Sequence, residues 1–275
     1  MKQTDRLVII GAGNIGTAIA TGLVAAKSLG PKQITLCDLL PTRRALLESQ
    51  GFSTSASNTA PLATPCTVLV SVEPHHADDV LREIAPALNP GRHVLISVMA
   101  GISIGQLRKH LGTTLPIVRA MPNTAIAIRE SMTCLATDHT DAGPIEQAKV
   151  IFDTVGKTLM ISEEQMTSAT ALGACGIAFF LRAIRAASQG GIEIGFSSTA
   201  ALIIAIQTAK GAACLLQTMD KHPESEIDRV TTPRGCTIAG LNQMEHEGFS
   251  SAIIKGIVTA AHKADDLYAR IPSLR

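Results

Sequence analysis

At 275 residues with 46% hydrophobic content, the chain has enough apolar material for two cored domains. A formal charge of +1 gives no electrostatic case for nucleic acid or an anionic membrane as partner. Aromatics are only 3%, with no Trp and one Tyr; small Ala, Gly, Ser and Thr dominate instead, which suits closely packed helices.

The first apolar run, Leu7-Val8-Ile9-Ile10, predicts a strand. With a strand expected this early, a cleavable leader is not expected. Gly11-Ala12-Gly13-Asn14-Ile15-Gly16 follows and opens an Ala-rich helix reaching about Leu29. A second strand at 33–37 ends on Asp38, about 20 residues beyond Gly16, as a dinucleotide fold requires. Gly11 allows a tight turn, Gly13 lets the backbone approach a pyrophosphate, and Gly16 brings helix and sheet together. Gly11, Gly13, Asn14, Ile15, Gly16 and Asp38 are therefore candidate cofactor-binding residues. A carboxylate at Asp38 favours the ribose hydroxyl of NAD, whereas nearby Arg43 and Arg44 can hold the 2′-phosphate of NADP, so both cofactors stay open.

Further strands are expected at 67–72, 93–98, 115–120, 132–136 and 158–161, alternating with helices. That alternation predicts a parallel sheet covered on both faces, the α/β Rossmann-type plan. Three strand ends lie where such sheets bind ligands: Ser71-Val72-Glu73-Pro74, Val98-Met99-Ala100-Gly101 and Ala120-Met121-Pro122-Asn123-Thr124. His75-His76 reads as the start of the helix after Pro74.

Beyond Ile161 the period becomes helical, with Ser162 as N-cap before Glu163 and Glu164. Helices are expected to about Ser188, with a break at Gly190-Gly191, and then at 198–219, from Pro223, at 237–246 and at 250–267. This predicts a dinucleotide-binding domain at 1–162 and an all-α dimerisation domain at 163–275. The apolar run 171–181 is shorter than the roughly 20 residues that span a bilayer. Six scattered cysteines without a CxxC pair suggest reduced thiols in a cytoplasmic protein, and no metal-ligand spacing is present.

The order and spacing of four stretches resemble the pyrroline-5-carboxylate reductase family. They are Ile10-Gly11-Ala12-Gly13-Asn14-Ile15-Gly16, Val98-Met99-Ala100-Gly101-Ile102-Ser103, Arg119-Ala120-Met121-Pro122-Asn123-Thr124 and Thr231-Thr232-Pro233-Arg234-Gly235-Cys236-Thr237-Ile238. The resemblance implies a Rossmann domain followed by a helical domain that forms an intertwined homodimer, often built into larger rings. It implies NAD(P)H-dependent reduction of the imine of 1-pyrroline-5-carboxylate to L-proline, the last step of proline biosynthesis. By the same likeness, Thr232, Pro233, Arg234, Gly235, Cys236 and Thr237 hold the substrate carboxylate, with the Thr237 hydroxyl beside the ring nitrogen as catalytic group. Asn58 would lie near the adenosine ribose. Ser71, Val72, Glu73, Pro74 and Ala100 would line the nicotinamide side, with Asn123 nearby and Glu163 at the domain junction. Imine reduction needs no metal and no nucleophilic side chain, only a carboxylate clamp and a proton donor.

Three departures stand out from the family pattern. Glu73 replaces a lysine, Cys175 replaces a serine near the pocket within Gly173-Ala174-Cys175-Gly176-Ile177-Ala178-Phe179, and Arg234 replaces a glycine. If residue 234 needs positive φ, a side chain there costs on the order of 1 kcal/mol. The departures keep other readings in play: a reductase of another cyclic imino acid, a β-hydroxyacid dehydrogenase using Lys210, or a non-catalytic NAD(P)-binding protein.

Overall fold

The computed structural model describes residues 6–112, 114–219 and 222–269, so the outer ends of the two expected domains lie outside the described residues. The chain divides into two compact units. One runs to Cys175 and takes in residues from Ala260 on; the other is Gly176–Thr259.

The first unit is built on an eight-stranded sheet of order β3-β2-β1-β4-β5-β6-β7-β8. The strands are β1 Leu7–Ile10, β2 Ile34–Cys37, β3 Ser53–Ser55, β4 Cys66–Val70, β5 His93–Ser97, β6 Ile117–Met121, β7 Ser131–Ala136 and β8 Gly156–Met160. Helices α1 Asn14–Ala25, α2 Pro41–Ser49, α3 Ala77–Ile84, α4 Ile104–Leu111 and α5 Ala142–Asp153 connect them. β1 shows why the sheet is covered twice. Leu7 and Ile9 join one core cluster with Ile19, Leu23 and Phe152, while Val8 and Ile10 join another with Val68, Leu81 and Leu107. Alternate side chains point to opposite faces, so a strand apolar at every position needs helices on both. Ile10 pairs with both Cys37 and Val70, which brings the turns after β1, β2 and β4 to one edge.

Two features differ from expectation. β7 runs antiparallel to β6, because the connection is a single short 3-10 turn, Thr124–Ile128, too short for a crossover. β3, Ser-Thr-Ser, has no apolar signature and pairs only with β2 at the sheet edge.

After β8, a 3-10 turn (Glu163–Gln165) leads into α6 Met166–Ala169, a π-helical turn Thr170–Cys175 and α7 Gly176–Glu193. Gln165 Oε1 accepts from the Ser162 N–H at 3.2 Å, which caps this start. The expected break at Gly190-Gly191 does not occur; α7 runs through both. A Cβ on Gly191 would stand 2.9 Å from the Ala201 Cβ, so this glycine serves close helix packing rather than chain reversal. The second unit continues with α8 Ser198–Met219, α9 Pro223–Val230 and α10 Cys236–His246, and α11 Phe249–Ala269 begins in it. By length and composition alone, the helical stretches 163–193 and 198–218 are long and apolar enough to cross a membrane, so the shortness of the 171–181 run carries no weight against it.

Candidate active site

The first constellation lies at the carboxyl edge of the sheet. Gly11 sits at φ +93°, and a Cβ there would meet Val72 Cγ1 at 2.8 Å. A Cβ on Gly16 would run into the Gly11 carbonyl oxygen and stand 2.7 Å from Ser71 Oγ. Around Gly13, by contrast, nothing lies within 4 Å of where a Cβ would be. Two glycines are therefore demanded by packing, and the third leaves open space before the first turn of α1. Gly13 is the N-cap of that helix and has no side-chain cap, so the orphan N–H groups of Asn14 and Ile15 face an anion-ready cradle. The arrangement fits a dinucleotide pyrophosphate. Ser71 fastens the cradle: its N–H donates to the Ile10 carbonyl at 2.8 Å and its Oγ to the Gly11 carbonyl at 2.7 Å.

At the end of β2, Asp38 Oδ1 accepts from the Leu40 N–H at 2.9 Å. Arg44 Nη1 donates to the Asp38 and Leu39 carbonyls at 2.8 and 2.9 Å. A carboxylate and a guanidinium thus share the place where a 2′-hydroxyl or 2′-phosphate would arrive, and either cofactor finds a partner. Arg43 makes no such contact among the described residues. Beneath them, burial first and then Glu83 and Cys66 push the Cys37 thiol up to about 12, so it stays neutral. Asn58, 9% exposed, donates from Nδ2 to Glu83 Oε2 at 2.8 Å.

On the other side of β1, Val72 is half-buried, while Glu73 lies exposed with His75 Nδ1 at 3.4 Å from its carboxylate. Pro74 opens a short 3-10 turn, Pro74–His76, that leads into α3. Ala100 is exposed beside Gly101, whose φ is +87°. Glu163 Oε1 accepts from the Ile104 N–H at 2.6 Å and pairs with Arg119 Nη1 at 3.0 Å. Asn123 accepts from the Ala125 N–H at 3.0 Å and donates from Nδ2 to the Gly173 carbonyl, in the π-helical turn, at 3.2 Å. Cys175, half-buried, closes that turn, a local irregularity often found at functional sites. Sequence reasoning missed Arg119, Glu83 and Arg44 as partners of the expected residues. For Arg119 a signal existed, a charged residue inside the apolar run Ile-Val-Arg-Ala-Met.

The second constellation belongs to the helical unit. The N-cap of α10 is Gly235, and the helix starts at Cys236, one residue earlier than expected. Thr237 is consequently the second helical residue, and its hydroxyl is not spent as the N-cap. A Cβ on Gly235 would collide with Thr232 Oγ1, and the Gly235 N–H donates to the Thr232 carbonyl at 2.9 Å. This tight turn, with Pro233 inside it, points the N–H groups of Cys236, Thr237 and Ile238 out of the helix end without intrahelical acceptors. Arg234 is exposed at φ +62°, so the position does require the left-handed region and the arginine is strained. Lys210 lies exposed on α8, with no ion pair among the described residues.

Residues 6–101 match the family model described as NADP oxidoreductase coenzyme F420-dependent, and residues 163–267 match pyrroline-5-carboxylate reductase dimerisation. A pyrroline-5-carboxylate reductase of Dictyostelium discoideum is 50% identical over 98% of this chain, which spans about half (51%) of that relative. A second from the same organism is 45% identical, with 100% of this chain and 97% of the relative covered. Among solved structures, the Plasmodium falciparum pyrroline carboxylate reductase with NADP bound superposes with a TM-score of 0.86 at 25% identity, covering 97% of this chain and 99% of that one.

Proposed function

The chain belongs to the pyrroline-5-carboxylate reductase family, and from that premise we propose that it reduces the imine of 1-pyrroline-5-carboxylate to L-proline with NADPH or NADH. The observation that carries this reading is the start of α10, where three free N–H groups stand beside an unspent threonine hydroxyl. When bound, the reduced nicotinamide supplies the hydride. The chain's own work is to bind and orient. The cradle of Gly11, Gly13 and Gly16 receives the pyrophosphate. The N–H groups at Cys236 and Thr237, at the positive end of the α10 dipole, hold the substrate carboxylate. The Thr237 hydroxyl supports the ring nitrogen and its proton.

In the same reading, the helical unit forms a homodimer, supported by the match to a dimerisation model. Dimers assemble into larger rings, the protein acts in the cytoplasm, and the apolar helices cover one another rather than enter a membrane. Side-by-side assays with NADH and NADPH, using 1-pyrroline-5-carboxylate and its six-membered homologue, test the activity. No turnover with either imine leaves only a nucleotide-binding role. Faster turnover of the homologue moves the substrate to another cyclic imino acid, which the departures at Glu73, Cys175 and Arg234 make worth measuring. Thr237→Ala is expected to lower kcat by about 100-fold while nucleotide Kd stays within about twofold. Equal loss of both would remove Thr237 from the catalytic step.

A further inference from the structure

Arg119 is the third residue of β6, a strand buried at all five positions, and its side chain is 6% exposed. Across the sheet its neighbours are Ser97 and Ala136. A guanidinium that has left water this completely needs a carboxylate and hydrogen bonds to be tolerated. Glu163 provides them with one oxygen: Oε1 faces Arg119 Nη1 at 3.0 Å and the Ile104 N–H at 2.6 Å. That atom joins three stretches distant in sequence, namely β6, the first turn of α4, and the segment after β8.

Ile104 draws its importance from what precedes it. Residues 98–103 leave β5 at the ligand edge, pass through Ala100 and the left-handed Gly101, and end at Ser103, the N-cap of α4. Met99 and Ile102 anchor the stretch in the core, while Ala100 stays exposed. The far end is held by the Ile104 N–H, an orphan helix donor, meeting an anion at the positive end of the helix dipole. Arg119 fastens that anion to the sheet. A second tie leaves the same strand: Asn123, just beyond β6, donates to Gly173 in the π-helical turn. β6 and the turn just beyond it thus hold both ends of the segment 163–173.

We propose that Arg119 and Glu163 are positioning residues for hydride transfer, fixing the 98–103 loop through one shared carboxylate oxygen so that it presents a rigid wall to the nicotinamide. The inference rests on the reductase reading above. Neither residue is assigned contact with the reacting atoms.

The double variant Arg119→Met/Glu163→Leu removes both charges together and leaves no uncompensated ion, so it is the variant most compatible with folding. It is expected to lower kcat by about tenfold or more, because small misplacements of reacting groups are costly. The KM for the imine should change less than about twofold, since the substrate clamp is elsewhere. Independently of turnover, amide exchange across residues 98–106 should accelerate, and NADPH Kd by fluorescence titration should weaken several-fold. Glu163→Gln keeps an acceptor for the Ile104 N–H and should fall between wild type and the double variant in both exchange and kcat. Wild-type exchange with wild-type kcat, in whichever of these variants folds, overturns the proposal. So does a lowered melting temperature with exchange, Kd and kcat unchanged, which makes the pair purely structural. Failure of the reductase reading would look different, as wild-type protein without turnover, and exchange would then still report whether the pair holds the loop.

Discussion

Leu7, Val8, Ile9 and Ile10 are at most 1% exposed, whereas between residues 176 and 259 Ala201 and Ala205 are the only buried apolar side chains among the described residues. In that second unit Phe180, Leu181, Leu202, Ile203 and Ile204 all lie open, from 45% to 66% exposed. Both regions are rich in apolar residues, but they dispose of them differently. The sheet hides its side chains under its own helices. α7 and α8 pack on one another through small residues, Gly191 against Ala201, and leave the larger ones for another surface. Hydrophobic content therefore says how much surface must be covered, not which chain covers it.

A charge on the open face separates the two regions most strongly. Ile203→Asp should leave the first unit folded but weaken the proposed homodimer by about 3–5 kcal/mol, more than about a hundredfold in its Kd. Sedimentation at micromolar concentration reads this directly, and an unchanged dimer would mean that α8 is covered by something other than a second copy. Next comes a change inside the self-sufficient unit. Gly16→Ala places a Cβ against the Gly11 carbonyl, costs about 1–3 kcal/mol, and should weaken nucleotide binding by at least about tenfold with the dimer intact. Retained affinity would show that the cradle can open without loss. The smallest effect compares strain in the two units. Arg234→Gly and Lys27→Gly each relieve a positive φ, worth about 1–2 kcal/mol against roughly 0.5–1 kcal/mol of added chain entropy. Melting temperatures should move by no more than about 3 °C. A loss of imine affinity in Arg234→Gly alone would mark that strain as tied to substrate binding.

Legibility varied with how local the controlling force was. The Gly11-Gly13-Gly16 turn was readable because its spacing between strand and helix is local, although the side chains that demand Gly11, and in part Gly16, are Val72 and Ser71 from the end of β4. Asp38 was placed correctly at its strand end, yet its sharing of that place with Arg44 depends on a side chain folding back six residues. β3 was invisible because Ser-Thr-Ser carries no hydrophobic period, and it exists only because β2 offers an unpaired edge. Gly190-Gly191 misled for a related reason. Glycine weakens an isolated helix, but a neighbouring helix at close range more than compensates. The N-terminus of α10 shifted by one residue, which makes Gly235 rather than Thr237 the N-cap and leaves the threonine hydroxyl free for the role the resemblance implies.

Arg234 shows the two levels meeting at one residue. That a Pro-Arg-Gly turn interrupts the helices was written in the residue types, since proline and glycine end helices by local sterics alone. That the arginine sits at φ +62° goes with the closure of that turn, in which the Gly235 N–H reaches the Thr232 carbonyl at 2.9 Å. Alternation and turn chemistry are short-range matters that residue types settle alone, whereas the phosphate cradle is closed by Ser71 arriving from the end of β4. The burial of Arg119, its sharing of one Glu163 oxygen with Ile104, and the reversed strand β7 join parts of the chain that only folding brings within a few ångströms. Those were decided by the tertiary structure, because a charge can be kept out of water only where its partner arrives.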